Sequence, residues 1–394
     1  MRVPLLDLSE QYSNLAEPIR KRLDEVLGTQ RFILGPQVAK FEKAIGSFTG
    51  AAHAIGVSSG TDALLAVFMA MHIGPTDAVI TTPYSFFATA GCVARVGARP
   101  LFVDIDARTY NMSPVELQKF LRDECERRRG ELVHRASGSR VRAIVPVHLF
   151  GLCCDMDSIV RLAREHDLPL IEDAAQAIGA QCVVSSATRQ AGTIGLCGCF
   201  SFYPSKNLGA AGDAGLITCQ EAKLSERIRV CRDHGMAPRY YHQFVGGNFR
   251  LDEIQAAILD VKLPHLPEWS MARRRAADFY GTEFRKAGLT KAVTLPAEPY
   301  RNKVESHHIY HQYVIRSARR DALRTHLENR GIESAIYYPV GLHEQECFSY
   351  LNYKRGDLPE TERAAQETLA LPIYPEISRE AQSYVVKAIA EFFA

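Results

Sequence analysis

Between residues 55 and 220 short apolar runs alternate with stretches of helical periodicity. The runs at 55–57, 77–81, 100–103, 143–147, 168–171, 197–202 and 214–218 are brief and almost continuously apolar. That pattern predicts strands buried on both faces. Helices are expected between them, from the Ser59-Gly60-Thr61 turn to about residue 72, over 155–166 and over 221–234. Strand and helix in alternation predict an α/β protein whose large domain holds a mostly parallel, doubly wound sheet flanked by helices. Upstream, Ile19, Leu23, Val26 and Leu27 fall on one helical face, Gly35-Pro36 interrupts, and 38–48 reads as a second helix. This pair is expected to pack on a neighbouring molecule or on the smaller domain. Downstream, Pro264 and Pro267 suggest a hinge, followed by a long helix over 269–287, a strand at 310–315 and a helix at 319–330. Segment 334–343 has no helical period. The expected division is therefore a large domain over 1–262 and a smaller C-terminal α/β domain over 263–394.

Composition narrows the class. The chain has 394 residues, 46% of them hydrophobic, and a formal charge of +2. That is ample for a sizeable core and argues against a dedicated nucleic-acid binder. No apolar run approaches bilayer length, and the N-terminus lacks an apolar signal core, so a cytoplasmic protein is expected. Ten cysteines form no Cys-x-x-Cys pair, and Cys197 and Cys199 are too close for a zinc knuckle. Buried, reduced thiols and no metal site are the expectation. The stretch 119–142 crowds Arg127, Arg128, Arg129, Arg135, Arg140 and Arg142. It reads as a solvated helix end and loop, with an anion-binding lobe as the sharper alternative.

Candidate chemistry centres on Phe200 to Gly215, where Pro204 stops a strand and Gly209, Gly212 and Gly215 permit a tight loop around Lys206. This lysine is either a solvated cation or an amine held partly dry, and desolvation would make the latter a nucleophile or base near neutral pH. Asp173 falls at the carboxyl end of the 168–171 run, where open α/β sheets bind ligands. It suits a partner for a pyridinium nitrogen or, equally, a cap for a following helix. The Ser59-Gly60-Thr61 turn suits a phosphate cradle or a plain helix cap.

Four ordered motifs then go further: Ser-Gly-Thr-Asp-Ala-Leu (59–64), Glu-Asp-Ala-Ala-Gln (172–176), Phe-Ser-Phe-Tyr-Pro-Ser-Lys-Asn-Leu-Gly (200–209) and Gly-Asn-Phe-Arg-Leu-Asp-Glu-Ile-Gln-Ala-Ala (247–257). From about Leu5 onward the chain resembles the DegT/DnrJ/EryC1/StrS family of sugar aminotransferases, which have the aspartate-aminotransferase-like fold (fold type I). The resemblance implies pyridoxal 5′-phosphate (PLP) attached to Lys206, which then serves as general base, with Asp173 holding the ring nitrogen protonated. It implies that Gly60, Thr61 and Ser201 take the phosphate, that Phe86 lies on the ring face, and that Gln176 approaches the ring's phenolic oxygen or phosphate side. Asn248 matches a position reaching the cofactor of the other subunit, which implies a homodimer with shared sites; a turn residue is the alternative. The implied substrates are glutamate and a nucleotide-linked keto-sugar, 3-keto favoured over 4-keto. Arg239, Tyr338 and His343 match substrate-side positions, although Arg239 also suits plain surface and His343 a structural role. Relatives with histidine in place of this lysine dehydrate their substrates, so Lys206 favours amino transfer. A sugar dehydratase and a non-catalytic regulatory relative are the alternatives.

Overall fold

A computed structural model describes residues 1–394. Helices α1 (Ser9–Thr29) and α2 (Pro36–Thr49) open the chain; Pro36 starts α2, where its missing N–H costs nothing. There follow β1 (His53–Val57), α3 (Gly60–Ala70), β2 (Asp77–Thr81), α4 (Ala88–Arg95), β3 (Arg99–Phe102) and α5 (Pro114–Asp123). Next come β4 (Cys125–Arg128), β5 (Glu131–His134), β6 (Arg140–Val145), α6 (Met156–Glu165) and β7 (Ile171–Asp173). The hairpin β8 (Gln181–Val184) and β9 (Ala187–Gln190) precedes β10 (Cys197–Ser201), β11 (Gly215–Cys219) and α7 (Ala222–Arg232). The chain ends with α8 (Glu253–Lys262), α9 (Leu266–Lys286), β12 (Tyr313–Arg316), α10 (Arg320–Asn329), α11 (Pro359–Glu367), β13 (Thr368–Leu371) and α12 (Arg379–Phe393).

Two hydrogen-bonded groups, β3-β2-β6 and β7-β10-β11-β1, join through parallel bridges Ile144–Leu170 and Val147–Asp173. In the resulting sheet all neighbours run parallel from β3 to β10, and β11 alone runs against them. The reversal has a simple cause. Parallel strands need a long crossover, usually a helix, whereas β10 returns as β11 through a short helix-free loop. That loop carries Lys206. Helices α1 and α2 pack on α8 rather than on the smaller domain, through Leu15, Ile19 and Ile258 for α1.

Three expectations need correction. The arginine-rich stretch is a hairpin, β4–β5, laid against the start of β6. Its cations are mostly engaged: Arg127 with Asp167 at 2.6 Å, Arg140 with Asp77 at 2.8 Å, and Arg128 and Arg135 with Glu126. A paired edge explains the charge, and no free anion-binding lobe forms. Second, β7 runs through Asp173 instead of stopping before it, and 174–180 form turns, so Asp173 caps no helix. Third, the proline pair does not interrupt the backbone: α8 passes through a single 3-10 turn, Leu263–His265, into α9. Each proline occupies a first-turn position, where it is tolerated.

Helices α9, α10 and α12 pack around β12 and β13 over Tyr280, Tyr313, Ile315, Leu369 and Val385, within the segment expected to form a smaller domain. Val3 belongs to this core, tied by its N–H to the Gly331 carbonyl at 2.9 Å. The N-terminal residues thus cross the expected boundary. Further buried clusters span both domains, one joining Tyr84, Phe150 and Val314. No helix is long and apolar enough to cross a membrane. Nine of the ten cysteines are buried, and all are free thiols.

Candidate active site

Alternation along β7 decides which acid faces which way. Glu172 is fully buried and holds structure together: it meets His148 Nε2 at 2.8 Å and accepts the amides of Gly192, Ile194 and Gly195. Asp173 points to the other face, where its oxygens accept Thr89 Oγ1 at 2.7 Å and the Ala175 amide at 3.2 Å. Asp173 is buried and has no cationic ion-pair partner. Burial pushes its carboxyl up from the ordinary range, opposed by those two hydrogen bonds and by the Lys206 charge. A buried carboxylate of this kind is suited to a cationic ring nitrogen.

Lys206 stands beyond the end of β10, the strand paired to β7 with Cys199 opposite Asp173. Its loop is tight because Gly209 approaches Pro204 too closely for a side chain: a Cβ would lie 2.3 Å from the Pro204 carbonyl oxygen. Helix α8 clamps the far side, through Gln255 to Ala211 at 2.9 Å and Lys262 Nζ to the Gly209 carbonyl at 2.7 Å. The Lys206 amine makes no hydrogen bond within the chain. Burial lowers its pKa to about 8, with Asp173 working weakly in the opposite direction. It is therefore an amine with a substantial neutral fraction near neutral pH, beside a carboxylate.

The Ser59-Gly60-Thr61 turn lies where α3 meets β10. Ser59 caps α3 by accepting the Asp62 amide at 3.0 Å. The cap leaves the amides of Gly60 and Thr61 without an intrahelical acceptor, free for a ligand. A Cβ at Gly60 would stand 2.9 Å from that of Ser201, so the glycine lets the helix start abut the Ser201 hydroxyl. Across the cleft, Phe86 is 58% exposed, with its ring 6.3 Å from that of Tyr338. Gln176 links to this wall, donating to Tyr338 Oη at 3.1 Å while accepting the Phe150 amide at 2.7 Å.

The carboxyl edge of the sheet thus gathers Gly60, Thr61, Phe86, Asp173, Gln176, Ser201, Lys206 and Tyr338. Three expected residues stand elsewhere. Arg239 and Asn248 are on an exposed segment, 233–250, with Arg239 stacked over Tyr240 at 4.8 Å. His343 is buried against Glu362 at 3.4 Å, which is the structural role. Thr89 was not read from the sequence, although it lies three residues after Phe86 at the start of α4. Asn207 and His311 were also missed; they pair at 3.2 Å across 104 positions, which no local pattern discloses.

The chain is similar to known proteins over nearly its whole length. The pleiotropic regulatory protein of Geobacillus stearothermophilus is 46% identical, over 100% of this chain and 99% of its own. UDP-N-acetyl-3-dehydro-alpha-D-glucosamine 3-aminotransferase of Acidithiobacillus ferrooxidans is 40% identical, over 96% and 94%. The crystal structure of Streptomyces venezuelae DesV in complex with a ketimine intermediate superposes with a TM-score of 0.89 at 35% identity, over 99% of this chain and 98% of that one. The fold is accordingly that of fold-type-I, PLP-dependent enzymes. A family model matches residues 13–390, and the chain belongs to the DegT/DnrJ/EryC1/StrS aminotransferase family.

Proposed function

We propose that this protein transfers the amino group of glutamate to a nucleotide-linked keto-sugar, with a 3-keto sugar favoured, for amino-sugar, polysaccharide or glycoside synthesis. The observation that carries the reading is the placement of Lys206 beside the buried carboxylate of Asp173 at the carboxyl edge of the sheet. PLP, when bound, supplies an electron sink that makes the donor Cα proton acidic. Lys206 Nζ would be the base that carries this proton. Asp173, oriented by Thr89 and the Ala175 amide, would accept a charge-assisted hydrogen bond from the ring nitrogen and so keep it protonated. Gly60, Thr61 and Ser201 would hold the cofactor phosphate, and Phe86 would offer its open ring face on the wall it shares with Tyr338 and Gln176. The relative named as a 3-aminotransferase supports the 3-keto preference.

A homodimer with shared sites belongs to the same reading. Segment 233–250 exposes Tyr240, Tyr241 and Val245 at 71–86%, an apolar surface that suits cover by a second copy. Asn248 and Arg239 on that segment would then serve the partner's site. The name of the 46%-identical relative favours a second reading, a regulatory protein without turnover. The intact Lys206–Asp173 pair supports turnover. Incubation with glutamate and a panel of 3-keto and 4-keto sugar nucleotides, read by product mass, decides. An aminated 3-keto sugar is expected, and no product from any acceptor would leave the regulatory reading standing.

A further inference from the structure

Asn207, the residue after Lys206, is fastened to a segment from the far side of the domain boundary. Its Nδ2 donates to the Ile309 carbonyl at 2.9 Å, so its Oδ1 is the acceptor facing His311 Nδ1 at 3.2 Å. That assignment puts the imidazole proton on Nδ1. His311 is buried, and the charges facing it, Lys206 and Arg273, are both cationic. Burial and these charges together hold the ring neutral, well below the ordinary histidine range. Nothing in the chemistry described above uses this side chain.

The segment bearing His311 is itself tightly held. The Ile309 amide donates to the Gly151 carbonyl at 3.0 Å, and Arg273 of α9 donates to the Tyr310 carbonyl at 3.1 Å. Gly151, at φ +96°, leaves no room for movement: a Cβ there would lie 2.8 Å from Ile309 and 2.9 Å from the His311 amide. The His311–Asn207 contact therefore joins the lysine loop to a rigid support. From this geometry we propose that His311 is a positioning residue, which through Asn207 sets where the Lys206 backbone lies and keeps its amine in the cleft. The inference rests on Lys206 being the reactive amine of the proposed aminotransferase.

The experiment follows the amine itself in the full-length, cofactor-free protein. Competitive acylation with acetic anhydride across pH, quantified on the Lys206 peptide by mass spectrometry, yields its titration. The low value of the wild-type amine comes from burial, so a loosened loop returns it toward its ordinary 10.5. His311→Leu and Asn207→Ala are expected to raise the Lys206 midpoint by about one unit or more, a tenfold fall in neutral amine at pH 7. His311→Gln, which restores a donor to Asn207, is expected to stay near wild type. A purely structural histidine would lower the melting temperature and leave the Lys206 titration in place. A folded His311→Leu whose titration superposes on wild type overturns the proposal; if that variant does not fold, Asn207→Ala decides on the same criterion. Borohydride reduction of wild-type protein with PLP separates the two levels. Failure to fix the cofactor on Lys206 defeats the functional reading, whereas an unmoved titration defeats the positioning alone.

Discussion

On the proposed reading, a charge rather than a shape is what Asp173 would contribute to the site. Asp173→Asn keeps size and an acceptor but removes the negative charge that would hold a ring nitrogen protonated. A charge-assisted hydrogen bond contributes roughly 1.5–3 kcal/mol, so turnover is expected to fall by about one to two decades or more while PLP stays bound. Half-reaction kinetics with glutamate check this, and a rate within about threefold of wild type, under one kcal/mol, would refute the assignment. Lys206 makes a second prediction, in the cofactor-free protein. Its folded pKa of about 8 lies below its ordinary 10.5. Between those values the unfolded chain keeps a proton that the folded chain has released, so stability rises with pH across that window. Relative to Lys206→Met, wild type is expected to gain on the order of 1–3 kcal/mol between pH 7.5 and 10.5. Parallel urea-denaturation midpoints for the two proteins would count against a dry amine. The placement of Lys206 and Asp173 at strand ends was legible in sequence because each sits in a compact motif. Thr89 and Asp173, Gln176 and Tyr338, and Asn207 and His311 pair across 84, 162 and 104 positions, and that pairing is a product of the fold.

Among the elements, the abutment of α3 on β10 is the most exacting. Gly60→Ala would set a methyl 2.9 Å from the Ser201 Cβ, forcing the helix start away from the strand. Overpacking of this kind costs about 1–3 kcal/mol. PLP affinity is expected to fall at least tenfold with the far-UV spectrum unchanged, as measured by titration of the cofactor-free protein; unchanged affinity would remove Gly60 from the cradle. Most strands and helices were visible as apolar runs and helical periods because burial writes those patterns directly. The β4–β5 hairpin was not, since charge breaks its pattern: Glu126 pairs with Arg128 and Arg135, Glu131 with Arg140, and its only consecutive apolar residues are Leu132 and Val133. Nor was the end of β7, where two acids continue a strand: one is satisfied by three amides and a histidine, the other faces the cleft.

For the whole molecule, the proposed sharing of sites has a direct consequence. Lys206→Ala and Asn248→Ala each disable one contribution, so a mixed dimer would carry one site damaged twice and one intact. Mixing the two inactive proteins under exchange is expected to restore up to about a quarter of wild-type activity, the statistical yield of intact sites, and activity equal to the summed homodimers would place Asn248 in its own chain. The boundary between domains was less readable than the domains, because Val3 and the clusters around Tyr84 cross it through contacts that sequence distance hides. Gly151 shows what that crossing entails. Its turn presents the Phe150 amide to Gln176 on one side and supports Ile309 and His311 on the other. Two walls of the cleft thus hang from one backbone bend that tolerates no side chain. Should segment 233–250 contact substrate as proposed, substitutions there could change which sugar is taken while this bend stays fixed, whereas a side chain at Gly151 would displace both walls at once.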